Sequence, residues 1–208
     1  MVGDRPASWP VQDSQALGAG WVTSFVRDEV RTPDGSTIKR EYLTHPGAVA
    51  VVAWDEAADT IACLRQYRHP VRMELLEIPA GLLDIADEQW ATAARRELAE
   101  EAQLAAGRLD VLVDICTSPG SSEESLRIYL ARELTATPRP AGFELVDEEA
   151  HMSVEQVGRE ELVAAVFAGA CQSPTLVAGV LALETARLSG RLAGLRPIDA
   201  PWPIRDQR

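Results

Sequence analysis

The sequence predicts an α/β protein, a mixed β-sheet with helices on both faces, preceded by a small antiparallel β element. Three observations predict it. Residues 48–54 form an unbroken apolar run, the pattern of a strand buried on both faces. Stretches with period-2 alternation, separated by turn residues, recur along the chain as antiparallel hairpins do. Helical periodicity is scattered among these strands, without the regular strand–helix alternation of a doubly wound fold.

The elements follow in order. Residues 1 to about 15 carry Gly3, Pro6, Pro10 and Asp13 and read as a mobile arm. Residues 20–30 are strand-like, Pro33, Asp34, Gly35 and Ser36 signal a turn, and residues 37–43 alternate again. Such a hairpin buries little apolar surface by itself, so it belongs against the main domain or a partner subunit. Residues 1–45 are accordingly assigned to an N-terminal β hairpin or dimerisation element, and residues 46–208 to the main domain.

A turn at residues 55–59 separates the apolar strand from a second one at 60–67, which ends at Arg68, His69, Pro70 and Arg72. Residues 75–81 read as a short strand running into a loop. A helix is expected from Asp87 or Glu88 to about Ala102, with Ala91, Ala94, Leu98 and Ala102 as its buried stripe and an acidic first turn. Residues 109–116 and 125–131 are strands around a loop at 117–124, and residues 137–149 are a loop rich in proline, glycine and acids. Ser153 followed by Gln156 resembles a capping box, but residues 151–157 are assigned to a strand because a clearer helical pattern follows over 160–168. The last helix has Ser173 as N-cap, Pro174 at its first position and Gly190 as its stop; residues 197–208 are irregular.

The balance of charge narrows the function. The chain has 208 residues and a formal net charge of -12, with no lysine–arginine cluster, which excludes the basic surface a polynucleotide binder needs. A small phosphate compound remains open, provided cations held by carboxylates offset the repulsion. No apolar run is long enough to cross a membrane, and the opening residues lack the layout of a signal peptide. Cys63, Cys116 and Cys171 lie far apart, which argues against a disulfide framework or a zinc site. A cytoplasmic protein with reduced thiols is expected.

Glu97, Glu100 and Glu101 stand at i, i+3 and i+4, on one face of the expected helix. The residues four beyond them are Glu101, Leu104 and Ala105, so no lysine or arginine compensates them in the usual way. Arg95 and Arg96 lie on the N-terminal side, each able to tether one carboxylate. Clustered carboxylates are either a solvated acidic face or a site for a hard cation such as Mg2+ or Mn2+.

The surrounding residues decide between these. Gly81, Glu88, Arg96, Glu97, Leu98, Glu100, Glu101 and Leu104 resemble the Nudix box, GX5EX7REUXEEXGU with U aliphatic. One extra residue lies between Gly81 and Glu88, and Gln103 stands where glycine is usual; neither departure touches the carboxylates. Residues 65–68 (RQYR), 76–81 (LEIPAG) and 117–120 (TSPG) resemble the ADP-ribose pyrophosphatase branch of that family, and the likeness spans roughly residues 21–190.

The resemblance implies a Nudix-type α/β/α sandwich and Mg2+-dependent hydrolysis of the pyrophosphate of ADP-ribose, with Mn2+ as a substitute. It implies that Glu97 and Glu101, the carbonyl of Ala80, and Glu100 as an additional or water-mediated ligand hold metal, with Arg96 orienting the acids. It implies a catalytic base in the acidic stretch Asp147-Glu148-Glu149, with Glu149 chosen, and substrate contacts from Arg68, Glu77 and the Pro119 loop, near which Glu123 and Glu124 lie. Arg68 and Glu77 have a plain structural ion pair as their alternative. The tryptophans Trp9, Trp21, Trp54, Trp90 and Trp202 are candidates to stack on adenine but are more commonly core or interface residues. A homodimer through the N-terminal strands is also implied, together with turnover that rises toward alkaline pH. The rival readings are hydrolysis of another nucleoside diphosphate sugar or dinucleotide, and a non-catalytic ADP-ribose sensor of the same fold.

Overall fold

The computed structural model describes residues 2–143 and 150–206. The chain divides into two compact units, one formed by Met1–Gly47, Cys116–Ser125 and Pro201–Arg208, the other by Ala48–Ile115 and Leu126–Ala200.

In the first unit β1 (Val11–Ala19), β2 (Ser24–Arg31) and β3 (Thr37–Leu43) form an antiparallel sheet in the order β1-β2-β3. The expected arm over residues 1 to about 15 is therefore corrected: from Val11 onward it is a strand. The sequence concealed it because β1 is exposed along nearly its whole length and has no apolar alternation. It is held by its backbone ladder to β2 and by Ser14, whose Oγ donates to the buried Asp28 at 2.6 Å. The stretch before β2 is a turn rather than strand, closed by Gly20 N–H to the Thr23 carbonyl at 2.8 Å. The loop after residue 116 lies along β3: Leu43 N–H donates to Ser121 O at 2.9 Å, and His45 N–H to Glu123 Oε1 at 2.9 Å.

The second unit holds β4 (Ala48–Asp55), β5 (Thr60–Arg68), β6 (Met73–Glu77), β7 (Ala80–Leu82), β8 (Leu104–Cys116), β9 (Ser125–Ala136) and β10 (Ser153–Gly158). Their order is β10-β5-β4-β9-β8, with β6 paired to β5 and β7 to β4. The sheet is mixed, as expected: β4 runs parallel to β9 and antiparallel to β5 and β7. β10 is a strand despite the capping-box likeness, with Ser153 opposite Arg65 and Gln156 opposite Ala62.

The apolar run of β4 is explained by two cores. Ala48, Ala50, Val52 and Trp54 pack with Leu162 of α2 (Arg159–Phe167) and with Leu176, Val180 and Leu183 of α3 (Pro174–Leu188). Val49, Val51 and Ala53 face the other way, onto Ala93, Ala94, Leu98 and Ala102 of α1 (Trp90–Ala102). Each fully buried valine or leucine contributes about 1.5–3 kcal/mol, so the central strand stabilises both layers. Gly179 lets α3 lie close on the sheet; a Cβ there would come within 2.7 Å of Val52 Cγ2.

Two boundaries around α1 differ from expectation. The helix begins at Trp90, not at Asp87 or Glu88, and no acid lies in its first turn. Asp87 instead has φ of 62° and Gln89 is extended. At the other end β8 starts at Leu104, directly after the helix and five residues before the expected Leu109. Among the described residues no helix is long and apolar enough to cross a membrane.

Candidate active site

The site is built where β7 delivers the chain to α1. Ala80 and Gly81 are pinned to β4 by the pairs Ala50↔Ala80 and Val49↔Gly81. α1 packs its alanine and leucine stripe on the same strand, so loop and helix share one support. The acids of α1 gather at this junction, with Glu100 and Glu101 largely buried.

Glu101 is buried, and its carboxylate accepts the Ala80 N–H at 2.8 Å. This bond sets the Ala80 peptide against the acid that the sequence pairs with it. Glu97 lies over Gly81 so closely that a Cβ at that glycine would overlap its carboxylate. The glycine of the motif is thus required by close approach, as any larger residue would displace the acid.

Arg96 binds the rest of the cluster. Its Nε and Nη2 each donate to Glu88 at 3.0 Å, a bidentate pair. Its Nη1 donates to Glu97 at 2.6 Å and to Glu100 at 3.0 Å. Hydrogen bonding to the Glu88 carboxylate, reinforced by the charges of Glu97 and Glu100, raises the guanidinium's pKa above its ordinary value. Arg95 does not tether a carboxylate as expected; its Nη1 donates to the Ala106 carbonyl at 2.7 Å.

The bidentate pair also explains why the helix starts late. Eight residues of helix rise about 12 Å, which would put Glu88 out of reach of Arg96. Glu88 can fold back onto Arg96 because residues 87–89 are not helical. The eight-residue spacing was visible in the sequence and is itself a signal for a helix start beyond Glu88, a reading the acidic-first-turn argument missed.

Among the described residues no three His, Cys, Asp or Glu side chains converge as a preassembled metal cage. Glu97 and Glu100 are turned onto one guanidinium nitrogen and Glu101 onto a backbone N–H. The donor set nevertheless fits a hard divalent ion. It consists of carboxylate oxygens, two of them already flank a single cationic group, and Gly81 leaves the space that Glu97 occupies.

The remaining candidates have partners of their own. Arg68 and Glu77, across β5 and β6, form a bidentate ion pair with Nε–Oε1 of 2.9 Å and Nη2–Oε2 of 2.7 Å. Pro119 belongs to the first unit, in the loop of residues 117–124. In that loop Thr117 donates to Glu124, and Glu123 is engaged by His45 N–H. Glu149, with Asp147 and Glu148, lies outside the described residues. Of the tryptophans, Trp54 and Trp202 are buried and Trp90 lies under the Arg127 guanidinium, 5.3 Å from its centre; Trp9 and Trp21 are exposed.

Sequence reasoning missed two contacts. One is Arg139, whose Nε donates to the Glu100 carbonyl at 2.8 Å. The other is Arg127, fully buried, bound to Asp114 at 2.7 and 3.0 Å while it covers Trp90, the first residue of α1. Neither partnership has a local spacing that could have revealed it.

Comparison with known proteins agrees with this geometry. The NUDIX domain matches residues 44–169, and the chain belongs to that family. By class it is a Nudix pyrophosphohydrolase. It is 41% identical over 189 residues to an ADP-ribose pyrophosphatase of Mycobacterium tuberculosis (strain ATCC 25618 / H37Rv), covering 91% of this chain and 88% of that protein. It is 34% identical over 147 residues to an ADP-ribose pyrophosphatase of Bacillus subtilis (strain 168), covering 71% and 77%. A solved structure described as an ADP compounds hydrolase shares the fold, with a TM-score of 0.70 at 17% identity over 91% of this chain and all of that one. Nudix hydrolases generally use divalent ions and act on small nucleotide substrates.

Proposed function

We propose that this chain hydrolyses the pyrophosphate bond of ADP-ribose, giving AMP and ribose 5-phosphate, with Mg2+ as its ion and Mn2+ as a substitute. One observation carries the reading. The acids gathered around Arg96 and Gly81 lie within a stretch shared at 41% identity with an ADP-ribose pyrophosphatase, and that likeness covers nine tenths of the chain.

Glu97, Glu100 and Glu101, with the carbonyl of Ala80, would hold the ion. When bound, such an ion neutralises the diphosphate and lowers the pKa of the attacking water. Arg96 keeps Glu97 and Glu100 side by side, anchored in turn by Glu88. The Ala80 N–H keeps Glu101 turned toward the loop. Water oxygen bonds to phosphorus, the bridging P–O bond breaks, and Glu149 takes the proton from the water. Arg68 contacts phosphate and Glu77 the nucleotide; their mutual pairing holds the guanidinium in a fixed plane at the end of β5.

The protein acts in the cytoplasm as a homodimer, with residues 1–45 as the dimerisation element and residues 46–208 as the catalytic domain. Trp9, Val11, Trp21, Phe25 and Leu43, all exposed in the N-terminal sheet and its flanks, support that assembly. Sedimentation at micromolar concentration should give a dimer; a monomer there removes the assembly from the proposal.

The decisive experiment compares release of products from ADP-ribose, ADP-glucose, GDP-mannose and NADH at equal Mg2+, with a chelator control. ADP-ribose should be turned over fastest and chelation should abolish the reaction. A faster rate on another compound replaces the substrate, and binding of ADP-ribose without hydrolysis would make the chain a sensor.

A further inference from the structure

We propose that Arg139 is a positioning residue for the acidic helix: it grips the backbone of Glu100 and thereby sets the direction of the Glu100 and Glu101 carboxylates. The inference rests on the reading that those carboxylates hold a divalent ion.

The end of α1 has an electrostatic problem of its own. A helix terminates with unsatisfied carbonyls and the negative end of its dipole, where basic side chains are favoured. α1 has no basic residue in its last turn and instead carries Glu100 and Glu101 there. Its terminal Gln103 is left-handed, with φ of 54° and ψ of 40°, a conformation that costs a non-glycine residue stability.

The remedy comes from a distant stretch of chain. As the chain leaves β9, Thr137 N–H donates to the Gln103 carbonyl at 2.9 Å, and Arg139 Nε donates to the Glu100 carbonyl at 2.8 Å. Arg139 thus brings the missing cation to the helix end. Glu100 is consequently held at both ends: its carboxylate by Arg96 Nη1 and its carbonyl by Arg139. Glu101, the next residue, has its carboxylate on the Ala80 N–H. Without Arg139 the turn holding both acids keeps, among the described residues, only the Thr137 N–H bond to Gln103 as a backbone anchor from outside the helix, and the Glu100 end of it loosens.

Charge and geometry make opposite predictions here. Removing a cation near carboxylates should tighten a divalent ion through electrostatics alone. Loosening the turn that aims them should weaken it. The sign of the change therefore identifies the role.

The test uses the full-length chain with Arg139→Met and Arg139→Lys. Mn2+ binding is followed by electron paramagnetic resonance, amide hydrogen exchange is measured without metal, and kcat and KM are measured on ADP-ribose. In R139M, Mn2+ affinity and kcat should each fall about tenfold, the size typical for residues that orient metal ligands. The KM for nucleotide should stay within twofold, and the amides at the end of α1 should exchange faster. R139K, which keeps a donor and the charge, should recover most of both losses. Unchanged or tighter Mn2+ binding in R139M overturns the proposal, as does an R139K variant as impaired as R139M. Absence of turnover by the unmodified protein would sink the hydrolase reading instead, while the Mn2+ measurement still decides the role of Arg139.

Discussion

Arg96 and Arg159 each gather several carboxylates, yet they serve different purposes. Arg96 collects Glu88, Glu97 and Glu100, all within thirteen residues of one loop and helix. Arg159, at the start of α2, collects Asp59 from the turn before β5, Glu184 from α3 and its neighbour Glu160. Arg159 ties three elements together and is itself buried. Arg96 ties one segment to itself and presents acids. The lesson is that an arginine among acids is a fastener or an organiser according to where its partners come from. A fastener joins distant elements; an organiser gathers the carboxylates of one segment on a single guanidinium.

The comparison can be broken most sharply at the acids themselves. Glu101→Gln should lower turnover at least about a hundredfold, because on the proposed function a charged oxygen is lost from the ligands of a divalent ion. The circular dichroism spectrum should be unchanged; near-normal turnover with bound metal would sink the assignment.

Arg96→Met should follow with a loss of about 10- to 100-fold in turnover, since the acids lose their organiser. If Arg96 were a fastener like Arg159, thermal stability would fall instead and activity per folded molecule would persist.

Arg159→Met should show that opposite pattern. Turnover well below the melting temperature should stay within twofold, while stability falls by about 2 kcal/mol, because α2 loses its ion pairs to Asp59 and Glu184, and Glu184 keeps only Arg187 among the described residues. The pH dependence gives a second check. Hydrogen bonding from Arg159 lowers the Asp59 pKa, and hydrogen bonding from Arg187, with Arg159 beside it, lowers that of Glu184. Groups depressed in the folded state stabilise it above their unfolded values, near about 4, and lose that contribution as pH falls through the folded values. Denaturant titrations should therefore show the gap between R159M and the unmodified protein narrowing below about pH 4; a gap constant down to pH 2 refutes the ion-pair account.

The smallest effect is expected at Gln103. Gln103→Gly should relieve the left-handed strain and stabilise the protein by up to about 1 kcal/mol, raising Tm by roughly 2–4 °C without altering turnover. A fall in Tm would mean that Thr137 and Arg139 already relieve that end of the helix completely.

Much of this arrangement was legible in the residues alone because it is local. The spacing of Glu97, Glu100 and Glu101 follows from 3.6 residues per turn, and the apolar run of β4 announces burial on two faces before either face is known. Pro174 after Ser173 marked the start of α3, although Ser173 Oγ pairs with Thr175 rather than capping a backbone N–H. Strand β1 escaped because a polar, exposed strand is held by backbone bonds to its neighbour, which leave no periodic trace in side chains.

By itself, then, the sequence determined the mixed α/β architecture, the two-faced central strand and the acid triplet with its arginine, since each depends on residues within a few turns of one another. The tertiary structure alone decided what the arginines distant in sequence from their partners reach. Arg159 meets Asp59 across 100 residues and Arg139 meets the Glu100 carbonyl across 39. Contacts of that kind are made by closing long loops around a packed core, and loop closure depends on length rather than on any local pattern of residues.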